Sequence, residues 1–216
     1  MNLLIMGAPG TGKGTMSNRI VENYKVVHIS TGDMLRASIA KGSPIGLEAQ
    51  TYMNSGKLVP DSIIHDIIVE RLKEKDIENG FLMDGYPRTL EQAEDLSKIL
   101  DEVGKKVDLV INLHVDEEIL KERITGRRLC KKCGAIYHIK TRPSKVEGIC
   151  DECGSPLTVR KDDTLESLSV RLKEYHDNTE PVMEYYRKQN LVAEIDASKP
   201  IDEVFANVAK AIEGGK

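Results

Sequence analysis

A chain of 216 residues, 40% hydrophobic, with 31 Lys+Arg against 35 Asp+Glu, is long enough for one substantial core carrying smaller inserted modules. A formal charge of -4 gives no global electrostatic case for nucleic acid, and none is expected as a partner, although a local basic cleft can still accept a small polyanion. No apolar run approaches membrane-spanning length, and the short one at the amino end runs straight into the most informative segment, so a cytoplasmic protein is expected.

That segment is Gly7-Ala8-Pro9-Gly10-Thr11-Gly12-Lys13-Gly14-Thr15. It follows the strand-like Asn2-Leu3-Leu4-Ile5-Met6 and precedes a stretch readable as a helix from Met16 to Asn23. Strand, glycine-rich turn and helix together make a phosphate-binding loop. The glycines let successive backbone N–H groups converge on an anion, the helix adds its positive end, and Lys13 can reach a transferring phosphate. A generic loop of this kind places Ser or Thr directly after the lysine, as a magnesium ligand; here Gly14 stands there and Thr15 follows. A GTPase or motor ATPase is thereby disfavoured against a small nucleotide kinase whose magnesium is held through phosphates and water.

Lys25 to Ile29 reads as a short buried strand, with Ser30 and Thr31 at its carboxyl end, where open α/β sheets place their ligand crevices. Thr31 and Asp33 are N-cap candidates for a helix reaching Ala40. Gly42 and Pro44 interrupt it, a second helical piece runs from Gly46 to Ser55, and Gly56 and Pro60 punctuate the chain. Residues 30–59 thus form a helical excursion from the main sheet. Within it Arg36 is either a solvated surface charge or a phosphate ligand, and Lys57 has a weaker case still. Ile63, Ile64, Ile67, Ile68 and Leu72 give a helical period from Asp61 to Lys75. Phe81-Leu82-Met83 is a buried strand leading to Asp84, an acid placed to orient hydrated magnesium or else to cap a turn. Gly85-Tyr86-Pro87-Arg88 shapes that turn, and Thr89 caps a helix through residue 100. Arg88 can neutralise phosphate; Gln92 can read a base edge.

Val107 to Leu113 supplies a further strand, and Asp116-Glu117-Glu118 favours a helix start. Arg123 and Arg127 are spaced one turn apart, so both are expected on one helix face, with Arg128 beside them. They form either a solvated charge run or a polyphosphate clamp. Cys130-x2-Cys133 and Cys150-x2-Cys153 have the separation of thiolate knuckles and point to structural zinc, with iron or disulfides as the alternatives. Four sulfurs fill a tetrahedral shell, so such a metal holds an insertion together and does not activate substrate. The intervening Ile136-Tyr137-His138 fits a miniature of strands and turns. His138 is a fifth candidate ligand, a flank for a base, or, as composition alone favours, a surface residue. Arg160-Lys161-Asp162-Asp163 leads into a helix containing Arg171. A break near Pro181, a helix from Val182 to Gln189, a last strand over Leu191 to Ile195 and a final helix begun by Pro200 complete the chain. Aromatic content is 4%, so aliphatic packing must carry the core.

These residues resemble the adenylate kinases, and in particular the bacterial long form with a zinc-bearing lid. The likeness rests on Gly7 to Thr15, on Ser30-Thr31-Gly32-Asp33-Met34-Leu35-Arg36, on Asp84-Gly85-Tyr86-Pro87-Arg88-Thr89, on the paired cysteines and on Arg160 to Asp163. It implies an α/β fold, the P-loop nucleoside-monophosphate kinase fold with a five-stranded parallel sheet and two inserted subdomains. The core would comprise residues 1–29, 60–126 and 160–216, with an AMP-binding insertion at 30–59 and a zinc-bearing lid at 127–159. The resemblance further implies ATP phosphates on Gly10, Thr11, Gly12, Lys13, Gly14 and Thr15, and the ATP base near Arg123, Tyr137, His138 and the carbonyl around Lys199. AMP would meet Thr31, Arg36, Lys57, Val59, Gly85, Arg88 and Gln92, while Arg123, Arg127, Arg160 and Arg171 would close on the phosphates of both nucleotides. Asp84 would orient magnesium-bound water, with Asp33 a weaker contributor. Tyr86 replaces a phenylalanine common in relatives, Cys153 completes a four-sulfur site where some use aspartate, and Ala197 takes a turn position often held by glycine.

The expected activity is therefore reversible transfer from magnesium-bound ATP to AMP, giving two ADP, by a monomer carrying structural zinc. Another nucleoside-monophosphate kinase is the nearer alternative. A nucleotide hydrolase, a zinc-containing nucleic-acid binder and a nucleotide sensor without turnover are more distant ones.

Overall fold

In a computed structural model that describes residues 1–214, the chain begins with β1 (Asn2–Met6), α1 (Lys13–Tyr24), β2 (Val27–Ser30), α2 (Thr31–Ala40), α3 (Pro44–Asn54) and α4 (Asp61–Leu72). A short 3-10 turn at Lys75–Asn79 leads to β3 (Phe81–Asp84), α5 (Leu90–Glu102), β4 (Leu109–His114) and α6 (Glu117–Gly126). Three short strands follow, β5 (Arg127–Cys130), β6 (Ile136–His138) and β7 (Leu157–Thr158). The chain then returns through α7 (Leu165–Glu174), a π-helical turn at Tyr175–Thr179, α8 (Glu180–Arg187), β8 (Val192–Asp196) and α9 (Ile201–Ile212).

Two sheets result. The larger has the order β2-β3-β1-β4-β8 with every pairing parallel, the five-stranded parallel sheet that the resemblance implies. Its registers place Ile5 beside Asp84 and Ile111, and Ser30 beside Asp84, so the loop after β1 and the acid of β3 emerge at one carboxyl edge. Both faces are covered, which is why β1 reads as an unbroken apolar run. Successive side chains alternate between the faces. Leu3 and Ile5 pack with Met16 and Ile20 of α1 and Val204 and Val208 of α9, whereas Leu4 and Met6 pack with Ile68, Leu96, Val182 and Tyr186. The smaller sheet is antiparallel, β6-β5-β7, with Arg128 opposite Tyr137 and Cys130 opposite Leu157.

Four local expectations change. α1 begins at Lys13 rather than Met16, because Gly12 takes the N-cap position with φ 101 and frees the lysine to open the helix. α2 is capped by Ser30, whose hydroxyl accepts from Asp33 N at 3.3 Å, and not by Thr31 or Asp33; the Thr31 hydroxyl instead donates to Gly85 O at 2.9 Å. The first helix ends at Ala40 as expected, but α3 begins at Pro44 rather than Gly46: at a first helical position its missing N–H costs nothing, and Ser43 caps by accepting from Gly46 N. The break expected near Pro181 lies one turn earlier, as the π-helical turn. A proline ring clashes with the carbonyl four residues back, here in that turn, and the wider winding at 175–179 accommodates it without ending the helix.

Gly7 makes the junction between sheet and loop possible. Its φ of 139 is open to glycine, and a Cβ there would overlap the Leu113 carbonyl of β4.

Core and rim should respond differently to truncation. Leu4 is wholly buried at the centre of the sheet, so Leu4→Ala should lower unfolding free energy by about 3 kcal/mol, whereas Leu165→Ala, at a residue 57% exposed, should change it by less than about 0.5 kcal/mol in equilibrium denaturation.

Candidate active site

The glycine-rich loop closes around its own lysine. Lys13 Nζ donates to Gly7 O at 2.6 Å and Ala8 O at 2.9 Å, which holds the ammonium over the loop. Gly10 and Gly12 take φ of 91 and 101, and Thr11, nearly inaccessible, donates its hydroxyl to Ala8 O at 3.0 Å. The glycine at position 14, unusual for a phosphate loop, has a packing reason here. A Cβ on Gly14 would come within 3.2 Å of Ile136 Cδ1, because β6 of the small sheet lies across the start of α1.

Cations gather on this loop from separate elements. Arg88, from the turn after β3, donates through Nε to Gly85 O at 2.8 Å. Arg127 forms a two-pronged ion pair with Asp163, and Arg171 of α7 donates to Asp162 Oδ2 at 3.1 Å. Asp33 accepts from Arg36 Nη2 at 2.6 Å, so the acid suggested as a magnesium contributor is engaged by an arginine. Arg160 Nε is buried, with no hydrogen-bond partner among the described residues. Burial and crowding raise the energy of the charged forms of Lys13, Arg88, Arg160 and Arg171. Desolvation and the neighbouring Arg36 and Arg127 bring Arg160 down to about 10, and desolvation with Arg127 and Arg88 brings Arg171 down to about 10. Lys13 is lowered to about 7, mainly by desolvation, with Asp84 opposing and Arg88, Arg171 and Arg127 reinforcing. A polyphosphate relieves both the desolvation and the mutual repulsion.

Two adjoining cavities open on this cluster. One is lined by Gly7, Pro9 and Lys13, the other by Thr31, Arg36, Lys57, Val59 and Gln92. Gly85, Arg88 and Arg171 border both. Asp84 closes β3 beside them, and the parallel register brings His28 Nε2 to 3.8 Å from its Oδ2, a neighbour with no motif to announce it.

Arg123 and Arg127 do not share a helix face. α6 ends at Gly126 and Arg127 is extended, with φ -66 and ψ 139, so the helical spacing does not apply across the boundary. Arg123 donates to Thr11 O at 3.2 Å and Ala197 O at 2.8 Å, tying the loop to the turn after β8. Lys199, in that turn, has a half-exposed ammonium 4.0 Å from Asp196 and stands outside the cation cluster.

The small sheet holds its two aromatic candidates inward. Tyr137 is 4% exposed, with its hydroxyl 3.6 Å from Cys150 Sγ and accepting from Asp151 N at 2.8 Å. His138 is 8% exposed, which overturns the surface expectation. Its Nδ1 accepts from Lys140 N and Thr141 N, so the proton sits on Nε2, which donates to Glu122 O at 3.2 Å. The ring occupies the space a Cβ on Gly126 would need, which explains the glycine ending α6.

Beside them the sulfurs of Cys130, Cys133, Cys150 and Cys153 lie within 4.8 Å of one another, with no disulfide among them. The pairs Cys130–Cys153 and Cys133–Cys150 are 3.4 and 3.5 Å apart, close to the ~3.8 Å edge of a tetrahedron whose metal–sulfur bonds are ~2.3 Å. The donor set fits a closed four-thiolate metal site.

The depressed Lys13 makes phosphate binding a proton-uptake event. Below pH 7 the ammonium is already charged; above it the free lysine is increasingly neutral and must gain a proton to meet the anion. At pH 8, calorimetry of a non-hydrolysable ATP analogue in buffers of different ionisation enthalpy should show uptake of about one proton, lost in Lys13→Met. Equal heats in all buffers would contradict this.

Comparison with known proteins agrees with this geometry. The family model described as adenylate kinase matches residues 5–191. The chain is 51% identical over 213 residues to an adenylate kinase of Carboxydothermus hydrogenoformans, covering 99% of this chain and 100% of the relative. It is 47% identical to adenylate kinases of Lachnospira eligens, over 98% of this chain and 100% of the relative, and of Bacillus subtilis, over the whole of both. A phosphate loop, two cavities joined by shared arginines and a full-length match to these enzymes lead to one conclusion: the chain belongs to the adenylate kinase family.

Proposed function

We propose that the two adjoining cavities are the donor and acceptor sites of one phosphoryl transfer, with Gly85, Arg88 and Arg171 at their common border. The enzyme is an ATP:AMP phosphotransferase, catalysing ATP + AMP ⇌ 2 ADP. The observation that supports the assignment of sides is the division of the lining. Gly7, Pro9 and Lys13 of the loop line one cavity, while Arg36, Lys57, Val59 and Gln92 line the other.

In this reading the loop amides of Gly10 to Thr15 and Lys13 hold the ATP phosphates, with the nucleotide base towards Arg123 and the turn at Lys199. AMP enters beside Thr31, with its phosphate on Arg36 and Arg88 and its base towards Gln92. A phosphate oxygen of AMP is already a competent nucleophile, so no histidine base is needed. The protein's task is to align the two nucleotides and offset charge on the transferring group. Lys13, Arg88, Arg123, Arg127, Arg160 and Arg171 do the latter, each held by a carboxylate or carbonyl or by the surrounding cleft. Magnesium arrives with ATP and adds charge compensation, and Asp84 is the carboxylate placed to orient its water. Tyr137 and His138 act in this reading through the shape of the small sheet, since their polar atoms are already engaged, those of Tyr137 by Cys150 and Asp151 and those of His138 by Lys140, Thr141 and the Glu122 carbonyl of α6. Residues 30–59 form the AMP-binding insertion and 127–159 the lid, the remainder being the core.

Zinc is the metal best matched to the four converging thiolates. Free thiols poised as ligands fit a reducing, cytoplasmic setting, and a monomer suffices because both cavities are built from one chain. Among the described residues no helix is long and apolar enough to cross a membrane.

A coupled assay with AMP, GMP, CMP and UMP as acceptors should show transfer to AMP; turnover of ATP with water alone would instead indicate a hydrolase. Lys13→Ala and Arg88→Lys should each lower kcat about a hundredfold or more without changing the melting temperature by more than a few degrees. Full activity in both variants would contradict the shared-border assignment. Metal analysis should find one zinc per chain, and its chelation, or Cys130→Ser, should lower the melting temperature before any loss of active-site residues is involved. An unchanged melting curve after complete metal removal would reject a structural role.

A further inference from the structure

Gln92 is 5% exposed and reaches the second cavity from α5. A side-chain amide in such a position is ambiguous, since rotation by half a turn exchanges its oxygen and nitrogen. Here the surroundings remove the ambiguity. Gln92 Oε1 accepts from Arg88 N at 2.7 Å, and a backbone N–H can only donate. Gln92 Nε2 donates to Asp61 Oδ1 at 2.5 Å, and a carboxylate can only accept. The other Asp61 oxygen accepts from the Thr89 hydroxyl at 3.4 Å, and that hydroxyl in turn accepts from Gln92 N, so the carboxylate is itself held in place. One amide hydrogen and one oxygen lone pair remain, in fixed positions.

A 6-amino purine offers along its Watson–Crick edge an N–H donor beside a ring-nitrogen acceptor, which matches what remains on Gln92. A 6-oxo purine offers the reverse, a carbonyl beside a ring N–H. Against a free amide the reverse pattern is harmless, because the amide flips. Against this one it sets oxygen against oxygen and N–H against N–H. We infer that Asp61 is a specificity-determining positioning residue: together with the Arg88 N–H it holds the Gln92 amide in one orientation, and so makes the acceptor site select 6-amino over 6-oxo purine nucleotides. The inference rests on the reading of the second cavity as the AMP site, and concerns a residue outside every motif in the chain.

The test compares AMP with IMP as acceptors, since the two differ in the edge Gln92 would meet and IMP lacks the extra amino group of GMP. Wild type should favour AMP in kcat/KM by roughly a hundredfold or more. Asp61→Asn, the same shape but able to donate or accept, and Asp61→Ala should each narrow that ratio about tenfold or more, with the KM for ATP unchanged. Restoring the acceptor on a longer arm with Asp61→Glu should recover part of the preference. Parallel loss of AMP and IMP turnover, or an unaltered ratio in both folded variants, would overturn the role of Asp61. A wild type indifferent to the two acceptors would instead overturn the cavity reading beneath it, and the inference with it.

Discussion

The structure depends on bringing several cations into one desolvated cleft. Lys13, Arg88, Arg127, Arg160 and Arg171 reach it from four different parts of the chain, and each lowers the energy of none of the others. Such a cluster costs free energy unless carboxylates are interleaved, because a buried charge without a partner is far more expensive than a surface one. The interleaving is specific. Asp163, with a side chain wholly inaccessible to water, takes Arg127; Asp162 takes Arg171; Asp33 takes Arg36. None of these pairs adds much stability by itself. Together they keep the guanidinium groups aimed at a polyanion while leaving the cluster net positive around the loop. A transferring phosphoryl group, whose charge spreads over several oxygens, is the kind of species such a preorganised field favours over a compact neutral ligand.

The parallel sheet sets where that field lies. Registers across β2, β3, β1 and β4 place the phosphate loop, Asp84 and the turn bearing Arg88 at one edge, with Ser30 and Thr31 opening the helical excursion beside them. The small antiparallel sheet brings the rest. Its strand β5 carries Arg127, paired with Asp163, at one end and Cys130 of the four-cysteine cluster at the other, three residues apart on one element. Ile136 against Gly14 gives the same sheet a direct apolar contact with the start of α1.

Much of this was legible in the sequence. The glycine loop, the acid after β3, Thr89 as an N-cap and the paired cysteines are all short-range patterns whose physics acts within a few residues. The five-stranded parallel sheet was implied by the resemblance those motifs carry, with strand-like apolar runs at hand to form it. Legibility ended where the outcome depended on distant contacts. Arg123 and Arg127 look like one helical face until Gly126, crowded by His138, ends the helix between them. His138 looks exposed by composition, yet three backbone groups enclose its ring. Pro181 looks like a helix break, but a wider turn ahead of it preserves the rod that carries Arg171 and packs Tyr186 into the core. Asp61 had no signal at all, since only folding brings α4 beside α5.

The central claim is that two nucleotide sites share one phosphate-binding centre, with Lys13 on the donor side and Arg36 on the acceptor side. It is tested most directly by a crystal structure with a bridging analogue that joins two adenosines through a polyphosphate chain. The account predicts one adenine beside Gln92, the other towards Arg123, and the phosphates running past Lys13, Arg88 and Arg171 within hydrogen-bonding reach. Phosphates lying away from Lys13, or both adenines in the same cavity, would contradict it.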